Sequence, residues 1–169
     1  MVTPRHIFLL LTGLTALFSG CATTPAPLAD DEYQPPVSTA GRASLKGSRL
    51  TEGGLFGEVH TGYIYMIDLK SVRDAAAGWE TPIALAPGKH TVMAEYRFSN
   101  FKARATLQFA ATPGASYQLM IKHGRESTTE VKLFCEFWVI DTATGQTVSK
   151  VQHAQVMGGK KGTIFNVPT

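Results

Sequence analysis

The chain has 169 residues and a mass of 18.2 kDa, which is enough for one domain with a sizeable core plus targeting and linker segments. Two full domains would be crowded at this length. The formal net charge of +3 is modest, and the lysines and arginines are spread along the sequence. Nucleic-acid binding therefore gains no support from charge, and charge suggests no other partner.

The N-terminus has the pattern of a secretion signal. Arg5 gives it a positive start, residues 7–18 are nearly all apolar, and two small residues precede Cys21. The apolar run is far shorter than the roughly 20 residues that a membrane-spanning helix needs. We therefore predict a signal peptide over residues 1–20 and no permanent transmembrane helix.

The sequence Leu-Phe-Ser-Gly-Cys at residues 17–21 resembles the lipobox of bacterial lipoproteins, in which the cysteine becomes the acylated first residue of the mature protein. The resemblance implies a multiply acylated Cys21, which is enough lipid for a stable membrane anchor. Ala22 stands where inner-membrane lipoproteins carry a retention Asp, so the resemblance implies the outer membrane, with the periplasmic or surface side left open. A plain secretory signal with an incidental Cys21 is the alternative.

The segment after Cys21 is rich in Pro, Thr, Ala and Asp and cannot bury enough apolar surface to fold. We predict a lipid-anchored tether over residues 21–41, a folded domain over 42–157 and a flexible tail over 158–169.

The sequence of the first part of the domain predicts short elements of several kinds. Residues 43–46 indicate a short strand, and the glycine-rich residues 47–57 indicate a loop. Residues 59–69 are dense in β-formers and apolar on both faces, which predicts a central strand. Residues 71–78 combine a capping-box-like start with three alanines and a glycine, which favours one or two helical turns.

The strongest pattern is two alternating runs around the small turn Ser99-Asn100, which predicts a long β-hairpin. Its polar face carries Glu95, Arg97 and Arg104, and we expect the two arginines to be exposed. Its apolar face is predicted to line the core and consists of Val92, Ala94, Tyr96, Phe98, Phe101, Ala103, Ala105, Leu107 and Phe109.

Further strands are predicted near residues 117–122, 131–141 and 147–156, with turn signals between them. The pattern as a whole predicts an all-β fold: a single antiparallel β-sandwich, or a partly closed barrel, of seven to eight strands with one short helical turn. Residues 78–92, which run Gly-Trp-Glu-Thr-Pro to Pro-Gly-Lys-His-Thr-Val, resemble PEGA-like and carboxypeptidase-regulatory-like β-sandwich modules. That resemblance implies a non-catalytic envelope or surface domain and brings no catalytic residues.

No residue pattern in the sequence predicts an enzyme, a metal site or a cofactor. None of the histidines of the mature chain has a second His or Cys at metal-ligand spacing. All four lie near the ends of predicted strands, so some could converge at one rim, although scattered surface imidazoles are the favoured interpretation; they are His60, His90, His123 and His153. Gly-x-Ser-x-Gly is absent from the sequence. Asp68 and Asp141 each close a strand before a turn, where an Asp commonly binds backbone N–H groups. Cys135 is in phase with apolar neighbours, which favours a small buried residue over a reactive thiol.

These observations favour a non-enzymatic, membrane-anchored envelope lipoprotein that binds or scaffolds another envelope protein or polymer. An envelope hydrolase that uses a rim His and Asp, or a purely structural lipoprotein, remains as an alternative. Convergence of His90 or His60 with Asp68 in a deep pocket would favour the hydrolase. Phe56 and Trp79 are large apolar residues in turn-rich segments and are the predicted partner contacts, although a loop Trp also often folds inward.

Overall fold

The structure is a computed structural model that describes residues 30–38, 40–52, 57–127 and 131–158. Cys21 and Phe56 lie outside the described residues. The described part contains strands and no helix, so it also contains no helix long and apolar enough to cross a bilayer. The strands are β1 (Ala43–Lys46), β2 (Ser48–Glu52), β3 (Glu58–Ile67), β4 (Lys70–Ser71), β5 (Ile83–Leu85), β6 (Gly88–Phe98), β7 (Phe101–Ala111), β8 (Ser116–Ser127), β9 (Val131–Asp141), β10 (Gln152–Gln155) and β11 (Met157–Gly158).

The strands form two sheets, which confirms the predicted sandwich. The first sheet has the order β10-β9-β8-β1-β5, and the second has the order β11-β7-β6-β3-β2, with β4 paired to β3. The strand count exceeds the predicted seven to eight because several strands have only two to five residues and carry no periodic pattern. One pair is also parallel, β1 with β8, whereas the other pairs of named strands are antiparallel.

The core lies between the sheets and is lined by the alternating apolar residues of the long strands. The β6–β7 hairpin pairs in register from Gly88 with Ala111 to Phe98 with Phe101, as its alternation predicts. Ala105 and the two Phe residues at the turn are only partly buried. The buried members of the predicted apolar face are Val92, Ala94, Tyr96, Ala103, Leu107 and Phe109. Phe137, Val139, Leu119 and Leu45 close the core from the first sheet.

The predicted loop over residues 47–57 is wrong for its first half, because residues 48–52 form β2. The chain leaves the first sheet after β1 and enters the second sheet at Gly47. A Cβ atom on Gly47 would lie 2.3 Å from the carbonyl oxygen of Gly62 and 2.7 Å from that of Trp79, so only glycine fits this crossing. Pairing with β3 over five residues fixes β2, and its own sequence carries little strand signal.

The predicted helical turn is reduced to a series of turns. Residues 73–80 contain one hydrogen bond of helical spacing, from the Gly78 N–H to the Asp74 carbonyl at 2.8 Å. The predicted tether also needs correction, because part of it joins the domain. Tyr33 pairs its N–H with the carbonyl of Ser71 at 2.7 Å, and its hydroxyl donates to the carbonyl of Ala84 at 2.9 Å.

Arg97 and Arg104 are exposed as predicted, whereas Glu95 on the same polar face of the hairpin is buried. The alternation places it on the outer face of the second sheet, as predicted, yet the residue is only 1% exposed. Neighbouring strands bring Tyr63 and Arg104 directly beside it, and their side chains exclude water from its carboxylate. Strand period therefore predicts the face of a side chain, and the cross-strand neighbours decide its burial.

Candidate functional site

Strand register gathers positive charge on the outer face of the second sheet. Arg49 pairs with Thr61, Thr61 pairs with Arg97, and Arg97 pairs with Lys102, so one row across four strands carries three cations. Arg104 lies in the next row. We call Arg49, Arg97, Lys102 and Arg104 the arginine face. The sequence-based statement that the cations are dispersed is wrong in three dimensions, since residues far apart in the chain meet here.

Glu95 holds two of these cations in place. Its carboxylate accepts a hydrogen bond from Arg97 Nη2 at 2.7 Å and another from Arg104 Nε at 2.6 Å. The Tyr63 hydroxyl donates a third hydrogen bond to the same group. The Arg side chains are still 52% and 56% exposed, so about half of each remains accessible to solvent. The result is a buried anion beneath two accessible guanidinium groups.

The charges of this cluster reinforce one another. Burial alone would raise the pKa of Glu95, but hydrogen bonds from Tyr63, Arg104 and Arg97 outweigh it and hold that pKa below its usual range. Burial and the hydrogen bond to Glu95 raise the pKa of Tyr63, so its phenol stays protonated and donates. The hydrogen bond to Glu95 raises the pKa of each arginine. All partners therefore keep their charge states at neutral pH.

Each arginine of the face lies over an aromatic ring. Arg49 is 5.6 Å from the centre of the Trp79 ring. Arg97 is 5.4 Å from Tyr63, and Arg104 is 4.9 Å from Tyr65. These distances are within the range of cation–π attraction, which further restricts the guanidinium groups. A shallow cavity of about 260 Å³ opens between them and is lined by Arg49, Val59, Thr61, Tyr63, Ala76, Arg97 and Ser99.

A second polar cluster lies at one end of the sandwich interior. His60 on β3 stacks against His123 on β8, with ring centres 4.0 Å apart and planes 14° apart. Glu52 on β2 accepts a hydrogen bond from His123 Nε2 at 3.1 Å, and Glu58 Oε2 lies 3.7 Å from His60 Nε2. We call Glu52, Glu58, His60 and His123 the histidine rim. Its members come from both sheets.

Close contact between the sheets brings the two histidines together. Gly62 follows His60 by two residues on the same face of β3, and a Cβ atom there would lie 2.6 Å from the Ile121 side chain. Ile121 precedes His123 by two residues on β8. Because Gly62 lets Ile121 approach the backbone of β3, the next residues toward the rim stack ring on ring. Sequence spacing carries no signal for this pair, since the two residues lie on different sheets.

His60 is the buried member of the rim. The residue is 2% exposed, and burial, followed by the nearby His123, lowers its pKa although Glu52 and Glu58 oppose the shift. Its Nδ1 lies 2.7 Å from the Tyr96 hydroxyl. Its Nε2 is buried and has no hydrogen-bond partner among the described residues.

His90 and Asp68 converge as the hydrolase alternative requires, but their hydrogen bonds are structural. His90 Nδ1 lies 2.7 Å from Asp68 Oδ2, and His90 Nε2 lies 2.7 Å from the carbonyl oxygen of Ala86. The other oxygen of Asp68 accepts from the Thr91 N–H at 2.8 Å. Both ring nitrogens are thus occupied by acceptors, and neither cavity described in this section is lined by His90 or Asp68.

The remaining predicted residues fall in ordinary structural positions. Asp141 accepts hydrogen bonds from the N–H groups of Ala143 and Thr144, as expected for a turn Asp. Cys135 is fully buried, which confirms the expected small buried residue, and burial raises the pKa of its thiol to about 12. His153 is exposed and stacks on Phe134.

Trp79 is half-buried, as a loop Trp that folds inward would be, and its role as a partner contact stays a prediction. Its carbonyl accepts the Gly47 N–H at 2.7 Å, which ties the loop to the sheet crossing. Its ring borders the arginine face through Arg49. On its other side lies a cavity of about 230 Å³, lined by Ile64, Val72, Arg73, Asp74, Ala75, Gly78, Trp79, Thr81 and Ile83. The predicted contact residue Phe56 lies outside the described residues.

Comparison of the chain with protein-family models, with curated proteins and with solved structures found no match. The function must therefore be argued from the residues of this chain.

Proposed function

We propose that this protein is a non-enzymatic binding module of the bacterial envelope that presents the arginine face to an anionic envelope protein or polymer. A lipidated Cys21 would hold it at the outer membrane. One observation carries the proposal: the buried Glu95 fixes Arg97 and Arg104 while half of each arginine side chain stays exposed. A surface built in this way offers cationic donors that are already ordered.

Preordering matters because binding usually costs the entropy of fixing long side chains, about 0.5–1.5 kcal/mol for each. Glu95 and the aromatic rings beneath the arginines have removed part of that cost before a partner arrives. Guanidinium groups also match carboxylate and phosphate oxygens with paired hydrogen bonds. Arg and aromatic residues are enriched at protein interfaces for the same reasons. The face therefore suits an acidic partner better than an apolar one.

The hydrolase alternative is less well supported. A general base needs a ring nitrogen free to take a proton from substrate or water. Both nitrogens of His90 already lie within 2.7 Å of an acceptor oxygen, which fits a structural link between β6 and the turn after β3. A purely structural lipoprotein is the other alternative, and the following experiment distinguishes it.

A photo-crosslinking residue introduced at single positions in intact cells tests the location of the interface. Thr106 is exposed on the same face of the second sheet, two residues from Arg104. Lys132 is exposed on the outer face of the first sheet and is the matched control. We expect a discrete adduct from Thr106 and from Trp79, which borders the arginine face, and none from Lys132.

Other outcomes of the scan are equally informative. Phe56 is the fourth position of the scan, and an adduct there alone would move the interface to the predicted loop contact and away from the arginine face. An adduct from Lys132 alone would place the partner on the opposite sheet. Absence of adducts at every position would favour a structural role and contradict the proposal.

The anchor is tested separately. Growth with a fatty-acid analogue should label the wild-type chain and leave Cys21→Ser unlabelled, because acylation requires the thiol. Equal labelling of both, or recovery of the wild-type chain from the soluble periplasm, would contradict the lipid anchor without bearing on the arginine face.

A further inference from the structure

The histidine rim contains an arrangement of side chains that the binding function does not use. One ring nitrogen from each of His60 and His123 and one carboxylate oxygen of Glu52 all lie within 4.8 Å of one another. These are the nitrogen and oxygen ligands that first-row transition metals take in proteins. The three residues come from β2, β3 and β8, so strand packing rather than a sequence motif assembles them.

An independent observation indicates that a ligand belongs here. His60 is 2% exposed, and its Nε2 is fully buried without a hydrogen-bond partner in the part of the chain that the structure describes. A buried polar atom of this kind is rare in folded proteins and calls for an explanation. The nearest acidic oxygen, on Glu58, is 3.7 Å from this nitrogen, beyond hydrogen-bonding distance. A metal ion bound to Nε2 would satisfy it.

The other side of the His60 ring is arranged as metal-binding histidines commonly are. Its Nδ1 lies 2.7 Å from the hydroxyl of Tyr96, so Nδ1–H can donate to that oxygen and leave the lone pair on Nε2. Phe98 stacks on the same ring with centres 4.5 Å apart and restricts its rotation. The His60 ring is thus held in place, and its Nε2, which has no hydrogen-bond partner in the described part of the chain, lies 3.7 Å from Glu58 of the rim.

We propose that Glu52, His60 and His123 bind one divalent transition-metal ion, with zinc as the best match, and that Glu58 or water completes the coordination. Two imidazole ligands disfavour magnesium and calcium, which prefer oxygen donors. Two neutral imidazoles and two carboxylates would balance the charge of Zn²⁺. The proposal departs from the sequence-based expectation of no metal site.

Binding requires a modest adjustment that the exposed ligands allow. Ligand atoms around tetrahedral zinc are roughly 3.3 Å apart. The three candidate ligand atoms lie within 4.8 Å of one another, so they must move closer together to bind the ion. The stacked rings also have nearly parallel planes, so the His123 ring must tilt toward the ion. His123 and Glu52 have side chains 25% and 60% exposed, which leaves both of them room to move around the fixed His60. The bound ion would link the two sheets at this end of the sandwich.

The test uses the full untagged chain purified in detergent, stripped with a chelator and titrated with Zn²⁺ alone. Calorimetry and metal analysis should give one zinc per chain, with a higher melting temperature after loading. Glu52→Gln and His123→Gln should each weaken zinc binding at least tenfold, while His153→Gln, at an exposed histidine outside the rim, should bind like the wild type.

A second readout identifies the ligands. Co²⁺ loaded in place of zinc should give the visible absorption of a four-coordinate nitrogen and oxygen site in the wild type, and Glu52→Gln should lose it. Glu52→Gln should disturb the fold least of these variants, because the Glu52 side chain is largely in solvent. The proposal is overturned by a wild type that binds no stoichiometric zinc, by cluster variants that bind as tightly as the wild type, or by an equal loss in His153→Gln.

Discussion

The second sheet buries an ionisable side chain on each of its two faces, and the two side chains differ in how fully they are hydrogen-bonded. On the outer face, Glu95 receives three hydrogen bonds and two opposite charges. On the inner face, His60 makes one hydrogen bond, and its buried Nε2 has no partner among the described residues. The completed cluster stabilises the fold and orders its arginines, whereas the incomplete one is available for a ligand. A buried ionisable group with all its hydrogen bonds made thus belongs to the scaffold, whereas one with a hydrogen bond left unmade marks a candidate binding site.

Among changes to the two polar clusters, the largest effect is expected at Glu95. Glu95→Ala should lower the free energy of unfolding by about 3 kcal/mol, because it removes a buried carboxylate and leaves the Tyr63 hydroxyl without its acceptor. Urea unfolding measures this loss. Glu80→Ala, at an exposed glutamate, should change stability by less than about 0.5 kcal/mol. Equal small losses in both variants would mean that the Glu95 cluster adds nothing to the fold.

A core substitution gives a reference value for the stability loss of Glu95→Ala. Leu107 is 1% exposed between the sheets, so Leu107→Ala should cost on the order of 2–5 kcal/mol. Thermal or urea unfolding should therefore place Glu95→Ala within the range of a core truncation, although Glu95 is charged and on the outer face. A much smaller loss in Leu107→Ala would overturn the register of the hairpin.

The arginines should depend on Glu95. Arg104 has an exposed side chain, yet Arg104→Ala should cost about 1 kcal/mol because it removes one donor from the buried carboxylate. In the Glu95→Ala background the same change should cost almost nothing. A double-mutant cycle measures the difference, and additive losses would show that the pair is not coupled.

The pH dependence has a defined sign. The folded-state pKa of Glu95 is held below its usual range, so its charged form contributes stability that is fully present above the unfolded-state pKa of about 4.3. That contribution is lost as pH falls through the folded-state pKa. The stability difference between wild type and Glu95→Gln should be constant near neutral pH and shrink below about pH 4. A constant difference down to the acid transition would contradict this cause.

The smallest effect on stability is expected at the histidine rim. In metal-free protein, His60→Phe should change stability by no more than about 1 kcal/mol, because the lost bond to Tyr96 is offset by removal of an unsatisfied buried nitrogen. Phe also fits a position already stacked between rings. Calorimetric melting compares it with the Glu95 variants. A loss as large as that of Glu95→Ala would show that the rim is needed for the fold itself.

Sequence alone predicts the parts of this molecule that depend on local period. The alternation of residues 91–109 predicts the hairpin and its core face, because every second side chain must be buried. The alternation cannot reveal which outward residues are covered, so it does not indicate that Glu95 is buried. Tyr63 and Tyr65 on the same face of β3 were the available signal that aromatic side chains cover that surface.

Several histidines lie near the ends of predicted strands, so convergence at one rim was foreseeable, but local patterns do not indicate which histidines meet or that Glu52 joins them. Glu52 lies on an edge strand that its own residues scarcely indicate, and its contact with His123 joins residues 71 positions apart. The approach of the sheets at Gly62 is visible only once β3 and β8 face each other. Neither the sequence spacing of ligands nor the period of a strand indicates a cluster that forms between two sheets. Such a cluster can be recognised only in the tertiary structure.

The central claim is that ordered positive charge on the arginine face binds the partner. It is tested most directly by the yield of the Thr106 photo-adduct in intact cells when two cations are removed. Arg49→Gln with Arg97→Gln removes them from the face, and Lys122→Gln with Lys132→Gln removes the same charge from the outer face of the first sheet. The account predicts that the first pair abolishes the adduct and the second leaves it unchanged. An adduct that survives the loss of Arg49 and Arg97, or that falls equally in both pairs, would contradict it.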